Sequence, residues 1–429
     1  VSFIILLLIV TISEAQLKII NPNENFSFSF GPKKYSSRYI VEKVSSETNA
    51  EVISKGCKIE IELEENLVVS CPKNVGQTLK NSRRERIFSP MLIDTKSIVK
   101  PKDLFDAEAL HAPEVWKMGF TGKNRIVALL DTGIDYNHES LKSSFIGGYD
   151  FVNDDDDPFD DIGHGTAMAG IITSDGNPEF TMCFNQRRRV SCSAAHDFEF
   201  TIPENFSKGI APDAKIMMGK VCGIFGCFEG DIFLGLEWAV KGLDGVKNSG
   251  DEPDVISLSL GTSETWISKN CDDDPLAKEV NKISRNVPVV VSSGNFPFGV
   301  SSPACARNAI AAGATGGGFP DFHDLVTSFS GRGYSMQHHG VVAPGVDVFT
   351  TIPNDDYEFV SGTSPSAPYV AGLIALMKEK NPSLSASQVK SIVFRSSQHL
   401  SEFAFISENP NFEEGHGRID ALAAIRLIR

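Results

Sequence analysis

The chain lacks a long apolar run. Its one conspicuous hydrophobic stretch is Phe3–Val10, eight residues out of 429. A bilayer-spanning helix needs about 20, so no stable membrane span is expected once that stretch is removed. Positive charge is also short. The 40 Lys and Arg stand against 55 Asp and Glu, for a net charge of −15, which argues against binding nucleic acid through its phosphates. No internal repeat or long low-complexity tract is present. The Cys222–Cys227 spacing is not that of a usual zinc or redox site, and Gly313–Gly318 does not fit a dinucleotide-binding turn. What remains is ordinary for a globular protein: 41% hydrophobic and 22% charged residues, with 29 Phe. The length suits about three average domains of ~150 residues.

Charge is unevenly spread. Residues 16–100 carry 14 basic and 10 acidic side chains, whereas residues 101–429 carry 26 and 44. A small basic part precedes a large acidic one, and such parts attract each other. Phe3–Val10 followed by Ser13-Glu14-Ala15 reads as an export signal over 1–15, cleaved after Ala15; a positively charged start is missing. A secreted, extracellular protein is expected, and its eight cysteines are then expected as disulfides. Proximity pairs Cys57 with Cys71, Cys183 with Cys192, Cys222 with Cys227 and Cys271 with Cys305, although eight cysteines allow 105 connectivities.

Strand-like runs at 38–44, 58–64 and 66–71, a short polar helix within 77–86 and a further strand at 86–93 predict a small α+β unit. From residue 125 the texture changes. Runs at 125–131, 214–221, 254–260, 287–293, 309–314 and 340–345 are apolar on both faces, as in a buried parallel sheet. Helix-like segments lie between or after them at 165–173, 229–243, 275–285, 366–380 and 385–395. This alternation predicts an α/β fold with a doubly wound, mainly parallel sheet flanked by helices. The stretch between Ile172 and Gly209 reads as a surface loop pinned by a disulfide, and His338 and His339 read as loop residues.

Three segments carry chemistry. Asp131 ends an apolar strand in DTGID. His164 starts a small-residue helix in GHGTAMAG. Ser364 stands at the start of another helix in GTSPSAPYVAG. A serine hydroxyl needs a base in hydrogen-bond reach, and that base needs a partner to fix its tautomer. Asp131, His164 and Ser364 supply these three roles as catalytic residues. A helix start also directs N–H groups at developing negative charge. In SSGN, Asn295 ends a buried strand, where its amide can join the Ser364 N–H in an oxyanion hole.

With these four segments, in the chain order Asp, His, Asn, Ser, residues 101–429 resemble the subtilisin-like serine proteases, the subtilases. Further agreement lies in ALHAPEVWKMGFTGKN (109–124), GIAPDAKI (209–216), VISLSLG (255–261), VVAPG (341–345) and GHGRIDALAAI (415–425), and in Ser366-Ala367-Pro368 after the serine. The resemblance implies a serine endopeptidase that acts on polypeptide substrates through an acyl-enzyme, most simply as a monomer. It implies that residues 16–100 are a propeptide acting as intramolecular inhibitor, removed by a cut between Ser89 and Leu104. Residues 101–429 are then the catalytic domain. The run Arg83–Arg86 is discounted as a basic cleavage signal because it falls within the propeptide's expected fold.

The resemblance also places Ser259, Leu260 and Gly261 along one border of the substrate pocket, Ser292, Ser293 and Gly294 along another, and Ser301 near its floor. These small neutral residues favour an apolar side chain. No cofactor is implied for the chemistry. The run Asp154, Asp155, Asp156, Asp157, Asp160 and Asp161 reads first as a solvated acidic loop; the resemblance adds calcium as an alternative, a structural ion with these aspartates as oxygen donors, although Ser140 stands where relatives often have a calcium aspartate. Two other classes compete. A catalytically inactive subtilase fold used for binding would keep the motifs without turnover. An α/β-hydrolase lipase would need Gly-x-Ser-x-Gly and the order Ser, acid, His, and residues 362–366 have neither.

Overall fold

A computed structural model describes residues 38–43, 48–63, 65–72, 75–93, 106–185, 188–194, 198–316, 325–400 and 410–429. The export signal expected over 1–15 lies outside them. The chain divides into two compact units, Val1–Glu85 and Arg86–Arg429.

The first unit is a four-stranded antiparallel sheet. Its spatial order is Lys58–Glu62, Asn66–Ser70, Arg38–Glu42 and Ser82–Arg84. The apolar side chains of Tyr39, Val41, Leu67 and Val69 form its core with Val52 from the helix Thr48–Ser54. Cys57 is bonded to Cys71 within that core. The polar helix expected within 77–86 is instead a single 3₁₀ turn, Gly76–Thr78, leading into the last strand. The strand expected at 86–93 does not close this sheet; it belongs to the second unit.

In the second unit seven strands form one parallel sheet. The spatial order is Gly340–Pro344, Ile310–Thr315, Val289–Ser292, Val255–Leu258, Ile126–Asp131, Lys215–Lys220 and Phe145–Asp150. Six of these match the expected runs. The seventh, Phe145–Asp150, contains Gly147 and Gly148 and lies at the sheet edge, so it carries little of the apolar signature of a central strand.

Alternate residues of each strand serve different helix layers. Val127, Leu129, Ile216, Met218 and Val290 share one core with His164–Thr173 and Ser366–Lys380. Leu130 faces the other way, toward Gly235 of helix Glu229–Ala239. That two-sided burial explains the near absence of polar residues in these strands. Chain order reverses between Ile126–Asp131 and Val255–Leu258, the central crevice where open α/β sheets collect functional groups.

The expected loop between Ile172 and Gly209 contains a three-stranded antiparallel sheet of Arg188–Val190, Phe180–Asn185 and Phe198–Ile202. Cys183–Cys192 ties it, and Met182 and Ile202 pack on Phe349 and Tyr357. The remaining bonds, Cys222–Cys227 and Cys271–Cys305, follow the proximity pairing. His338 and His339 end a helix, Tyr334–His339, rather than lying in a loop. Among the described residues no helix is long and apolar enough to cross a membrane.

Candidate active site

Asp131 is the last residue of its strand and His164 the first of its helix. The connections meet closely: a Cβ on Gly165 would fall 2.1 Å from the Gly133 carbonyl oxygen, so only glycine permits the approach. His164 Nδ1 then lies 2.6 Å from Asp131 Oδ1, and Nε2 lies 3.0 Å from Ser364 Oγ. All three side chains are buried. The Thr132 N–H donates to Asp131 Oδ1 at 2.7 Å and helps hold the carboxylate in place.

A buried carboxylate between the two connections fixes their register. Asp160 Oδ1 accepts from the Thr132 hydroxyl and from the N–H groups of Ile162 and Gly163. Its Oδ2 accepts from the N–H and hydroxyl of Thr166. Thr132 follows Asp131, and Thr166 follows His164 by two residues. Sequence reading missed this role, because Asp160 sits in a run of acids that looks solvated.

Asn295 follows strand Val289–Ser292. Its side-chain oxygen accepts from both the N–H and the hydroxyl of Thr363, each at 2.9 Å. An amide whose oxygen is occupied presents its NH₂ as the available donor, and the Ser364 N–H lies one residue beyond Thr363.

Residues 86–93 run through this crevice in extended form. Ile87–Pro90 pairs antiparallel with Leu260–Gly261 on one side and with Gly226–Phe228 on the other. Leu92–Ile93 pairs with Ser361–Gly362. Between these strands the Met91 N–H donates to the Ser259 carbonyl at 3.2 Å. The Met91 carbonyl accepts from the Ser364 N–H at 3.0 Å. A Cβ on Gly261 would lie 2.8 Å from Met91 Cε and 2.5 Å from Ser301 Oγ; one on Gly294 would lie 2.8 Å from Ser301 Oγ. Gly261, Gly294 and Ser301 are thus brought together around the Met91 methyl, beside Ser259 and Leu260. Ser292 and Ser293 are buried directly before Gly294.

With this geometry established, comparison with known proteins gives a family. A model of the subtilase family matches residues 122–417. The chain belongs to the subtilases. It is 30% identical to M-protease of Shouchella clausii over 94% of this chain and 92% of that protein. It is 34% identical to Subtilisin Savinase of Lederbergia lenta, over 74% of this chain and 96% of the relative. Against Bacillopeptidase F of Bacillus subtilis it is 26% identical over 91% of its own length but spans only 26% of that longer protein. The chain is a serine-type endopeptidase with the doubly wound α/β fold of its family.

Subtilase catalysis needs no cofactor. In the acidic run, Asp154, Asp155, Asp157, Asp160 and Asp161 each engage a protein donor. Asp160 accepts five hydrogen bonds. Asp154 and Asp157 accept from the Tyr149 and Tyr136 hydroxyls, and the bond to Asp154 pushes Tyr149 up to about 12. Asp155 accepts the Asp157 N–H, and Asp161 pairs with Lys220. Ser140 is buried against the Tyr357 hydroxyl. Among the described residues no group of three or more His, Cys, Asp or Glu is placed to hold a metal ion.

Proposed function

We propose that Ser364, His164 and Asp131 are the nucleophile, general base and orienting carboxylate of a secreted, monomeric endopeptidase that first cuts its own chain between Met91 and Leu92. The observation that carries this is the Met91 carbonyl, which receives the Ser364 N–H while the flanking residues are strand-paired on both sides. That is the posture of a bound substrate added as a strand.

The chemistry follows from the atoms in reach. Ser364 Oγ attacks the Met91 carbonyl carbon as its proton passes to His164 Nε2. The carbonyl oxygen becomes an oxyanion, held by the Ser364 N–H and the Asn295 amide. Collapse re-forms the carbonyl and breaks the bond to the Leu92 nitrogen, which takes the proton from His164. Water then adds to the Met91 acyl carbon, giving its proton to His164, and the ester to Ser364 breaks as the serine regains a proton. Asp131 stays ionised and stabilises the imidazolium at each stage. Removing one oxyanion donor costs ~10²–10³ in turnover, a magnitude measured on subtilisin itself.

Residues ahead of the cut then act as propeptide and inhibitor. Met91 beside Gly261 and Ser301 supports a preference for an apolar side chain before the cleaved bond. Secretion is supported by the sequence pattern of residues 3–15. A fluorophosphonate probe tests the hydrolase reading: the processed enzyme should be labelled at Ser364 and the Ser364→Ala variant should not. A well-folded chain that the probe leaves untouched would favour the inactive binding protein.

A further inference from the structure

Arg86 lies five residues before Met91 in the strand that fills the crevice. Along that strand Ile87 and Ser89 are exposed, whereas Phe88 is fully buried and Arg86 is mostly so. The Arg86 guanidinium reaches two carboxylates with different nitrogens. Nη2 lies 2.8 Å from Glu229 Oε1, and Nη1 lies 2.5 Å from Asp274 Oδ2. The exposed Glu264 is more distant, at 4.0 Å from Nη1.

Both carboxylates belong to rigid helix starts. Glu229 opens helix Glu229–Ala239 and its side chain is 0% exposed. Its N–H also donates to the Arg86 carbonyl at 3.2 Å, so one residue grips both main chain and side chain. Asp274 caps helix Pro275–Ile283 and its side chain is 7% exposed. Its Oδ1 accepts the Ala277 N–H and the Ser302 hydroxyl. These partners fix the carboxylate without help from Arg86 and turn Oδ2 toward the strand.

We propose that Glu229 and Asp274 form a subsite that selects, in polypeptide substrates, an arginine five residues before the residue whose carbonyl is attacked. The proposal rests on the reading that Met91–Leu92 is the cut bond. A planar fork that engages two carboxylates at once suits arginine, and a compact lysine ammonium cannot span them in the same way. A neutral side chain there would leave two buried carboxylates without that cation, a costly outcome. Burial pushes the Asp274 carboxyl up, yet the hydrogen bond and charge of Arg86, together with the Ala277 N–H and the Ser302 hydroxyl, hold the group below its ordinary range.

The test uses the processed wild-type enzyme and fluorogenic peptides of sequence X-Ile-Phe-Ser-Pro-Met-Leu-Ile-Asp, with X as Arg, Lys, Gln or Glu. The expected order of kcat/KM is Arg, Lys, Gln, Glu, with at least a ~10-fold fall from Arg to Gln. In Glu229→Gln enzyme the Arg-to-Gln ratio should shrink, and in the Glu229→Gln, Asp274→Asn double variant it should approach about one; as a ratio within one preparation, it does not depend on the fraction folded. Equal rates for the Arg and Gln peptides in wild type, both cut at Met–Leu, would overturn the subsite alone. Cutting at a different bond would overturn the assignment of Met91–Leu92 and the subsite with it.

Discussion

Substituting Asp160 by Asn probes how the fold holds the active-site geometry. The carboxylate accepts five hydrogen bonds at 2.6–3.0 Å in a buried position. Asparagine keeps one oxygen for Thr132, Ile162 and Gly163. Its NH₂ then faces the Thr166 N–H and hydroxyl, which are donors too. The Thr166 hydroxyl cannot turn away freely, because it already accepts the Asp135 N–H at 2.9 Å. Two bonds are lost with their buried donors stranded, at about 1–3 kcal/mol each. Stability should therefore fall by about 2–6 kcal/mol. At roughly 2–4 °C per kcal/mol this lowers Tm by at least ~4 °C. Thermal unfolding should be followed in a Ser364→Ala background, where self-digestion is absent. In active enzyme the same change loosens the join between Asp131 and His164, so kcat should drop ~10–100-fold with KM little altered, since misplacement by about 1 Å can cost ~10². A Tm within ~1 °C of the parent, with unchanged kcat, would refute the positioning role.

Other consequences for stability can be measured in the Ser364→Ala background, and those for self-processing in active enzyme. His339 is buried, its Nε2 bonded to Asn270 Oδ1, with Lys390, Asp272 and His338 nearby; burial pulls its pKa down to about 3. The folded state therefore binds fewer protons than the unfolded chain below pH ~6.5, and stability is lost as pH falls from there toward 3. His339→Gln should remove that loss, worth about 2 kcal/mol at pH 5, and identical pH–stability curves would count against it. Replacing Cys271 and Cys305 by Ser should cost about 4 kcal/mol, against about 2 for Cys222 and Cys227, since their sequence separations are 34 and 5; the reverse ranking in denaturant titrations would contradict the loop-closure account. Phe88→Ala empties a fully buried site and should slow self-processing at least ~10-fold, and an unchanged rate would mean that burial contributes nothing to docking.

Most of the sheet was legible in the sequence because buried parallel strands announce themselves as apolar runs, and Asp131, His164, Asn295 and Ser364 stand in local motifs. The residues that hold or complete the site were harder to read, for a common reason. Asp274 and Glu229 carry the signals of ordinary helix starts, and Asp160 looks like one more acid in a loop. Their roles depend on residues distant in sequence: Arg86 is 143 positions from Glu229. Arg86 itself reads as part of the small unit's fold, because the strand at 86–93 looks like that unit's last strand. No local pattern distinguishes a strand that pairs with its own sheet from one that pairs with Leu260–Gly261. The disulfides followed proximity because each joins neighbours in sequence.

The most direct measurement is the intact mass and N-terminal sequence of wild type and Ser364→Ala after folding under the same conditions. Wild type should yield a mature chain beginning at Leu92, and the variant should persist as the uncut pro-form. A wild type that stays uncut, a mature chain that begins elsewhere, or a variant that still cuts itself would contradict the account.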